Sequence, residues 1–309
     1  MSLSIEFVSV PLSEISSEEK FSFSIPSRKE LIKESIRNFG ILQPPVIAIF
    51  SEKLILIDGE ARILAGIEAG IKETKCVVLK SISKKQALAL ALELNLSRGL
   101  NLAEKAEFIK KAKEVFSKDE IFYFLKKLGV SPSNQNFFFL LSLSKLETEF
   151  KELLAEEKLN PKAGQILAEL EEKERKEFLA LIKSLRLSFS EQLQVLEKLL
   201  DCKKRYEFKE LIPPELKVVL KEEDFNKRKN EFMKKLNLLY YPNYFPKYQK
   251  VNSLVQSFKE KGIHISFPPY FEEKEVSLSL RVKSPEEYEK SVKDLESLLT
   301  KVVELFKIL

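Results

Sequence analysis

The chain has 309 residues, 44% of them hydrophobic, with 52 Lys and Arg against 47 Asp and Glu and a net charge of +5. Such a length and apolar content fit two or three packed domains and exclude a globally disordered chain. No apolar run reaches the roughly 18 residues that span a bilayer. The opening Met1-Ser-Leu-Ser-Ile-Glu lacks the regions of a signal peptide, so a soluble cytoplasmic protein without membrane contact is expected. The single histidine, His264, and two distant cysteines, Cys76 and Cys202, argue against zinc, haem and a Ser-His-Asp triad. The thiols are expected to be buried, and any chemistry must rest on carboxylates, Arg and Lys, or bound Mg2+.

In chain order, Ile5 to Leu12 alternates as a strand ended by Pro11. Leu31, Ile32, Ile36 and Phe39 predict a helix over 30–39, stopped by Gly40. After Gln43-Pro44-Pro45, strands are predicted over 46–50 and 53–57. Asp58-Gly59 then turns into a helix over 61–69, closed by Gly70. A strand over 75–79 and a helix over 83–96 complete a mixed domain, residues 1–100. From 101 to 202 the period is helical throughout, with helices at 102–115, 118–127, 133–143, 146–155, 161–169, 172–185 and 188–200. Asn101 with Glu104 forms a capping-box pattern at the first of them.

Residues 201–216, with Pro213-Pro214, read as a linker into a third domain, 203–309. Helices are predicted there over 222–238 and 247–260, with a turn marked by Pro242 and Pro246. His264-Ile-Ser-Phe, Pro268-Pro269, and an alternating strand over 276–282 follow. A final helix, 285–307, has apolar residues at near-heptad spacing that suit dimerisation. The overall class is α+β: a mixed N-terminal domain, an all-α middle and a small α+β C-terminal domain.

Two features carry chemistry. The first is a strand, then Asp58-Gly59-Glu60-Ala61-Arg62-Ile-Leu-Ala65, then a helix. A glycine there admits a phosphate close to the backbone, a helix N-terminus presents amides, and Arg62 can reach an anion bidentately. By itself this is also an ordinary strand-to-helix turn. The second is Leu94-Asn95-Leu96-Ser97-Arg98-Gly99-Leu100-Asn101, which gathers Asn95, Ser97 and Arg98 where one helix ends and the next starts. A plain helix end with a connector has the same composition.

Together with Ser35-Ile36-Arg-Asn-Phe-Gly40-Ile-Leu-Gln43-Pro44, these features resemble, in order, three motifs of the ParB/RepB-type partition proteins. Gly59-x-x-Arg62-x-x-Ala65 matches the GxxRxxA box. Asn95-Leu96-Ser97-Arg98-x-Leu100-Asn101 with Glu104-Lys-Ala106 resembles the ENLQRxxLNxxExA box. The resemblance covers about residues 5–107 and implies a ParB/sulfiredoxin-like fold, CTP and Mg2+ binding, and CTP-gated closure of a homodimer around DNA. It places Gln43, Gly59, Glu60, Ala61, Arg62, Asn95, Ser97 and Arg98 at the nucleotide. It further implies nucleoid association and a ParA-type ATPase as partner. Ala61 stands where the box usually has Arg, and Leu94 where the second box begins with Glu; Glu93, one residue early, is turned by about 100° on a helix. Nucleotide binding is therefore expected to survive better than hydrolysis, and enzymatic activity to be at most weak CTP hydrolysis.

The resemblance extends to a helix-turn-helix over 119–143, with Lys126, Lys127, Ser131, Ser133, Asn134, Gln135 and Asn136 as DNA-contact candidates. No charge occurs between Lys127 and Lys145, and Phe137 to Leu141 is continuously apolar, which fits a buried bundle helix equally well. Lys105, Lys110, Lys111 and Lys113 are further phosphate-contact candidates. An aromatic cluster, Tyr240, Tyr241, Tyr244, Phe245 and Tyr248, suits a small core or dimer interface, and less well single-stranded nucleic acid. Two other readings compete with the first. A small-molecule kinase of the free-serine type would need Glu30, Glu60 or Glu93 as base, and a degenerate interaction protein would keep the fold without nucleotide. The sulfiredoxin activity lacks its cysteine between Gly59 and Arg62.

Overall fold

The computed structural model describes residues 4–16, 21–25, 28–242, 244–267 and 275–308. The chain divides into two compact units, Met1–Gln194 and Val195–Leu309.

In the first unit β1 (Ser4–Pro11), β2 (Ile15–Ser16), β3 (Val46–Phe50), β4 (Lys53–Asp58) and β5 (Glu73–Lys80) form one sheet in the order β1-β5-β3-β4-β2. β1 runs antiparallel to β5, from Ser4 opposite Lys80 to Pro11 opposite Glu73. β3 and β4 make a tight hairpin in which Ser51 and Glu52 both adopt left-handed φ, 47° and 67°, matching the twist of the flanking strands. The fifth strand, Ile15–Ser16, lies parallel to β4 and was not expected from sequence. Two residues are too short to show a period, and a 3-10 turn at Leu12–Glu14 returns the chain to the edge of β4.

α1 (Lys29–Phe39), α2 (Glu60–Glu68) and α3 (Lys84–Leu96) accompany the sheet. Val10, Leu12, Ile47, Leu56, Ile63, Cys76 and Val78 form a core between sheet and helices. Both cysteines are free and buried, and burial pushes each thiol pKa up. The helical layer comprises α4 (Leu102–Val115), α5 (Lys118–Lys127), α6 (Asn134–Leu143), α7 (Thr148–Ala155), α8 (Pro161–Leu167) and α9 (Glu172–Leu185). Their starts follow capping chemistry. Ser83 with Gln86, Asn101 with Glu104, and Ser117 with Glu120 each form a capping box, at α3, α4 and α5.

The division between units falls within α10 (Phe189–Tyr206), followed by α11 (Pro214–Val219). Residues 201–216 are not the linker read from their prolines. α10 continues to Tyr206, Leu211 and Ile212 are buried, and Pro214 opens a helix at a position where its missing N–H costs nothing.

The second unit continues with α12 (Phe225–Tyr240), α13 (Tyr244–Lys259), antiparallel β6 (Ile263–Ser266) and β7 (Ser277–Leu280), α14 (Pro285–Ser297) and α15 (Leu299–Ile308). Pro246 lies in the first turn of α13, not in a preceding turn, and Pro268-Pro269 lies outside the described residues. Val251, Val255, Phe258, Ile263, Ile265, Leu298 and Leu305 make its core. The predicted single helix 285–307 is broken at Leu298, whose amide donates to Leu295 O, three residues back, while its side chain turns into that core. On α15 the apolar Leu299, Val303 and Phe306 are 64%, 49% and 41% exposed. Among the described residues no helix is long and apolar enough to cross a membrane.

Candidate nucleotide cradle

β4 delivers Asp58 to the sheet's edge, and Gly59 turns the chain into α2 with φ +106°, a conformation L side chains rarely adopt. A Cβ at position 59 would also stand 3.2 Å from the guanidinium atoms of Arg62. The position thus needs glycine for its backbone conformation, and a side chain there would also press on Arg62. With glycine as N-cap, no side chain caps α2, and the first turn at its mouth carries the positive end of the helix dipole.

The cations at this mouth already have internal acceptors. Arg62 Nη2 donates to Asp58 Oδ2 at 2.6 Å, and Nη1 donates to the carbonyls of Gln43 (3.0 Å) and Pro44 (3.3 Å). Asn95, on α3, donates to Asp58 Oδ1 at 3.1 Å and to Ala91 O at 2.8 Å. Its own Oδ1 accepts from Arg98 Nε at 2.7 Å. Arg98 Nη1 then reaches Glu104 Oε2 (2.9 Å) and its Nη2 reaches Ser24 Oγ (3.2 Å). Glu104 Oε2 also accepts the Asn101 amide at 3.1 Å and so closes the capping box of α4. The other carboxylate oxygen, Oε1, lies 2.8 Å from Arg98 without an aligned hydrogen bond, in a side chain that is wholly buried. A continuous chain, Arg62–Asp58–Asn95–Arg98–Glu104, therefore links the mouth of α2 to the buried start of α4.

These groups surround a cavity of about 330 Å³. Seven of the eight predicted nucleotide residues line it: Gln43, Gly59, Glu60, Ala61, Arg62, Asn95 and Arg98. Ser97, the eighth, is the C-cap of α3 and is not part of the lining. Leu94 faces the cavity where a carboxylate of the second box would stand, while Glu93 pairs with Lys127 of α5. Among the described residues no group of three His, Cys, Asp or Glu side chains is placed to hold a metal ion.

Sequence reasoning missed the side of the cavity made by Ser22, Phe23, Ser24 and Arg28. Arg28 has the loosest ion pair of the three cavity guanidiniums, 3.9 Å to Glu104 Oε1, with its side chain 40% exposed. Its signal was available: an arginine just before a helix whose next residues are basic and acidic in turn.

The region of α5 and α6 divides the DNA candidates. Lys126, Ser131, Asn134 and Gln135 are exposed. Lys127 is engaged by Glu93 and lies over the Tyr123 ring. Ser133 caps α6 by accepting the Asn136 amide, and Asn136 Nδ2 donates to Ser131 O at 2.9 Å, so this pair fixes the turn. The apolar run is not uniformly buried: Leu140 is, whereas Phe138 is 60% exposed. Lys111 is half-buried, and burial lowers its pKa against the opposing pull of Glu107 and Glu60.

Residues 4–96 match the family model of the ParB N-terminal domain. The chain is 27% identical over 179 residues to a probable chromosome-partitioning protein ParB of Vibrio cholerae, covering 57% of this chain and 59% of that protein. It is 44% identical over 69 residues to a probable plasmid-partitioning protein ParB of Thermus thermophilus, covering 22% of this chain and 23% of that protein. It therefore spans less than two thirds of the length of these relatives. Against the solved C-terminally truncated chromosome-partitioning protein ParB of Caulobacter crescentus complexed with CTP-gamma-S, the identity is 19% and the TM-score 0.27. That comparison covers 57% of this chain and 98% of the other.

Proposed function

We propose that this chain, whose residues 4–96 match the ParB N-terminal domain, is a CTP-binding, DNA-associated dimer of the partition or transcription-regulation class. The observation that carries the reading is the cavity at the N-terminus of α2, which collects Gln43, Gly59, Arg62, Asn95 and Arg98 from separate parts of the chain. In this reading the amides of residues 60–62 and the guanidiniums of Arg28, Arg62 and Arg98 hold the phosphates. Asn95 and Arg98 transmit occupancy to α4 through Glu104.

The residues fit a polyphosphate better than they fit a metal. A glycine-lined helix mouth with three arginines suits the anion. Mg2+ would enter as the nucleotide's counter-ion, with Asp58 and Glu60 as the nearest carboxylates of the lining. With Leu94 in the cavity, hydrolysis falls behind binding. Of the three bases the kinase reading could use, Glu30 and Glu93 are engaged by surface lysines and only Glu60 lines the cavity.

DNA contact is assigned to the exposed Lys126, Ser131, Asn134 and Gln135 at the α5–α6 turn. Dimerisation is assigned to the outward stripe Leu299, Val303 and Phe306, spaced i, i+4, i+7 on α15. A ParA-type ATPase partner and nucleoid association belong to the same proposal. The test is calorimetric titration with each of the four ribonucleoside triphosphates and Mg2+, with and without pooled duplex DNA. A clear preference for CTP that DNA strengthens is expected; equal binding of all four, or of none, overturns the reading.

A further inference from the structure

We propose that Asp58 is a built-in competitor for the ligand. Its two oxygens hold Arg62 and Asn95, and an incoming phosphate must displace it. The inference rests on the nucleotide reading above and adds a regulatory contact to it.

The argument starts from the geometry of the guanidinium. Arginine grips a phosphate best through a pair of parallel N–H groups. In Arg62 both terminal nitrogens are already directed at protein acceptors, Nη2 at Asp58 Oδ2 and Nη1 at the carbonyls of Gln43 and Pro44. One face of the group lies over Gly59, where a methyl carbon would stand 3.2 Å from Cζ, Nε and Nη2. A phosphate at the mouth of α2 therefore competes with Asp58 for Nη2 of Arg62.

The alternative role for such a carboxylate is to sit behind the arginine and orient it. Its position argues against that role. Asp58 itself lines the cavity, with its side chain 23% exposed, so its charge faces the ligand directly. It also binds Asn95, a second cavity residue, through its other oxygen. One carboxylate thus neutralises one donor on α2 and one on α3, as a bound phosphate would. Its displacement would free Asn95 as well, and with it the connection through Arg98 to Glu104. Glu104, by contrast, is fully buried and outside the lining, so it is the orienting carboxylate of the pair.

The experiment uses the full chain and its Asp58→Asn and Asp58→Glu variants, with two readouts. The first is CTP affinity in the presence of Mg2+. The second is the rate at which phenylglyoxal modifies Arg62 without nucleotide, followed by peptide mass spectrometry. Removing one charge-assisted competitor is expected to tighten CTP binding about tenfold in Asp58→Asn and to speed Arg62 modification several-fold. Asp58→Glu keeps a carboxylate and is expected to label close to the wild-type rate, which separates release of the contact from loss of fold. Weaker CTP binding by a folded Asp58→Asn protein, or unchanged Arg62 labelling, overturns the proposal. If no protein binds CTP, the nucleotide reading fails, and the labelling rates alone then decide whether Asp58 holds Arg62.

Discussion

The cradle around α2 and the outer face of α15 present opposite ways of preparing for a partner. At the cradle every guanidinium has an internal acceptor: Asp58 and two carbonyls for Arg62, Asn95, Ser24 and Glu104 for Arg98, and a long contact to Glu104 for Arg28. On α15, Leu299, Val303 and Phe306 face outward while Leu305 and the preceding Leu298 fill the core. A polar site left unsatisfied near low dielectric is costly, so it is stabilised by partners that a ligand must outcompete. An exposed apolar stripe needs no displacement, and its gain comes from water released on association. In the proposed reading, binding at the first place is an exchange and assembly at the second an addition.

Breaking the exchange at its buried end should have the largest effect. Glu104→Ala leaves Arg98 short of its main acceptor and removes the box that starts α4, and a loss of about 3 kcal/mol is expected. Chemical unfolding measures it; a loss under about 1 kcal/mol would show that the carboxylate behaves as a surface group. Gly59→Ala comes next. Its left-handed φ and the 3.2 Å approach to Arg62 should cost about 1–3 kcal/mol and abolish tight CTP binding, read by thermal melting with and without CTP.

On the additive side, Val303→Glu puts a charge in the middle of the α15 stripe. It should shift the light-scattering mass from dimer to monomer with little change in melting temperature, because Val303 is outside the core. A monomeric wild type would remove the assembly half of the comparison. The smallest effect concerns Glu68, which Lys29 and Lys33 of α1 hold down to about 2 from an ordinary 4.5. A depressed folded-state pKa contributes stability above the unfolded value and loses it as pH falls, here between about 4.5 and about 2. Melting temperatures across that range should fall less steeply for Lys29→Ala than for wild type.

The parts of this picture that were legible in sequence are those written locally. Gly40 and the Asn101–Glu104 box fixed helix ends to within a residue or so, because caps act over one turn. The three motifs brought seven cavity residues together. Long-range partners were not legible. Asp58 was read as half of a turn, although its i, i+4 spacing to Arg62 carried the acid–base signal. The sequence marks Glu104 as a cap and a box residue but not as the partner of Arg98, since nothing local shows that Arg98 folds back onto it. Ile15–Ser16 was invisible because its strand exists only by pairing with β4. The break at Leu298 was hidden by an apolar pattern that satisfies one long helix and two short ones alike.

Amide hydrogen exchange of the full chain, with and without CTP and Mg2+, reads the cradle itself. Slower exchange at Glu60, Ala61 and Arg62 on adding CTP is the predicted result, accompanied by a change at the start of α4 around Glu104. Unaltered exchange across 59–63 at saturating CTP, or protection confined to some other part of the chain, would contradict the account.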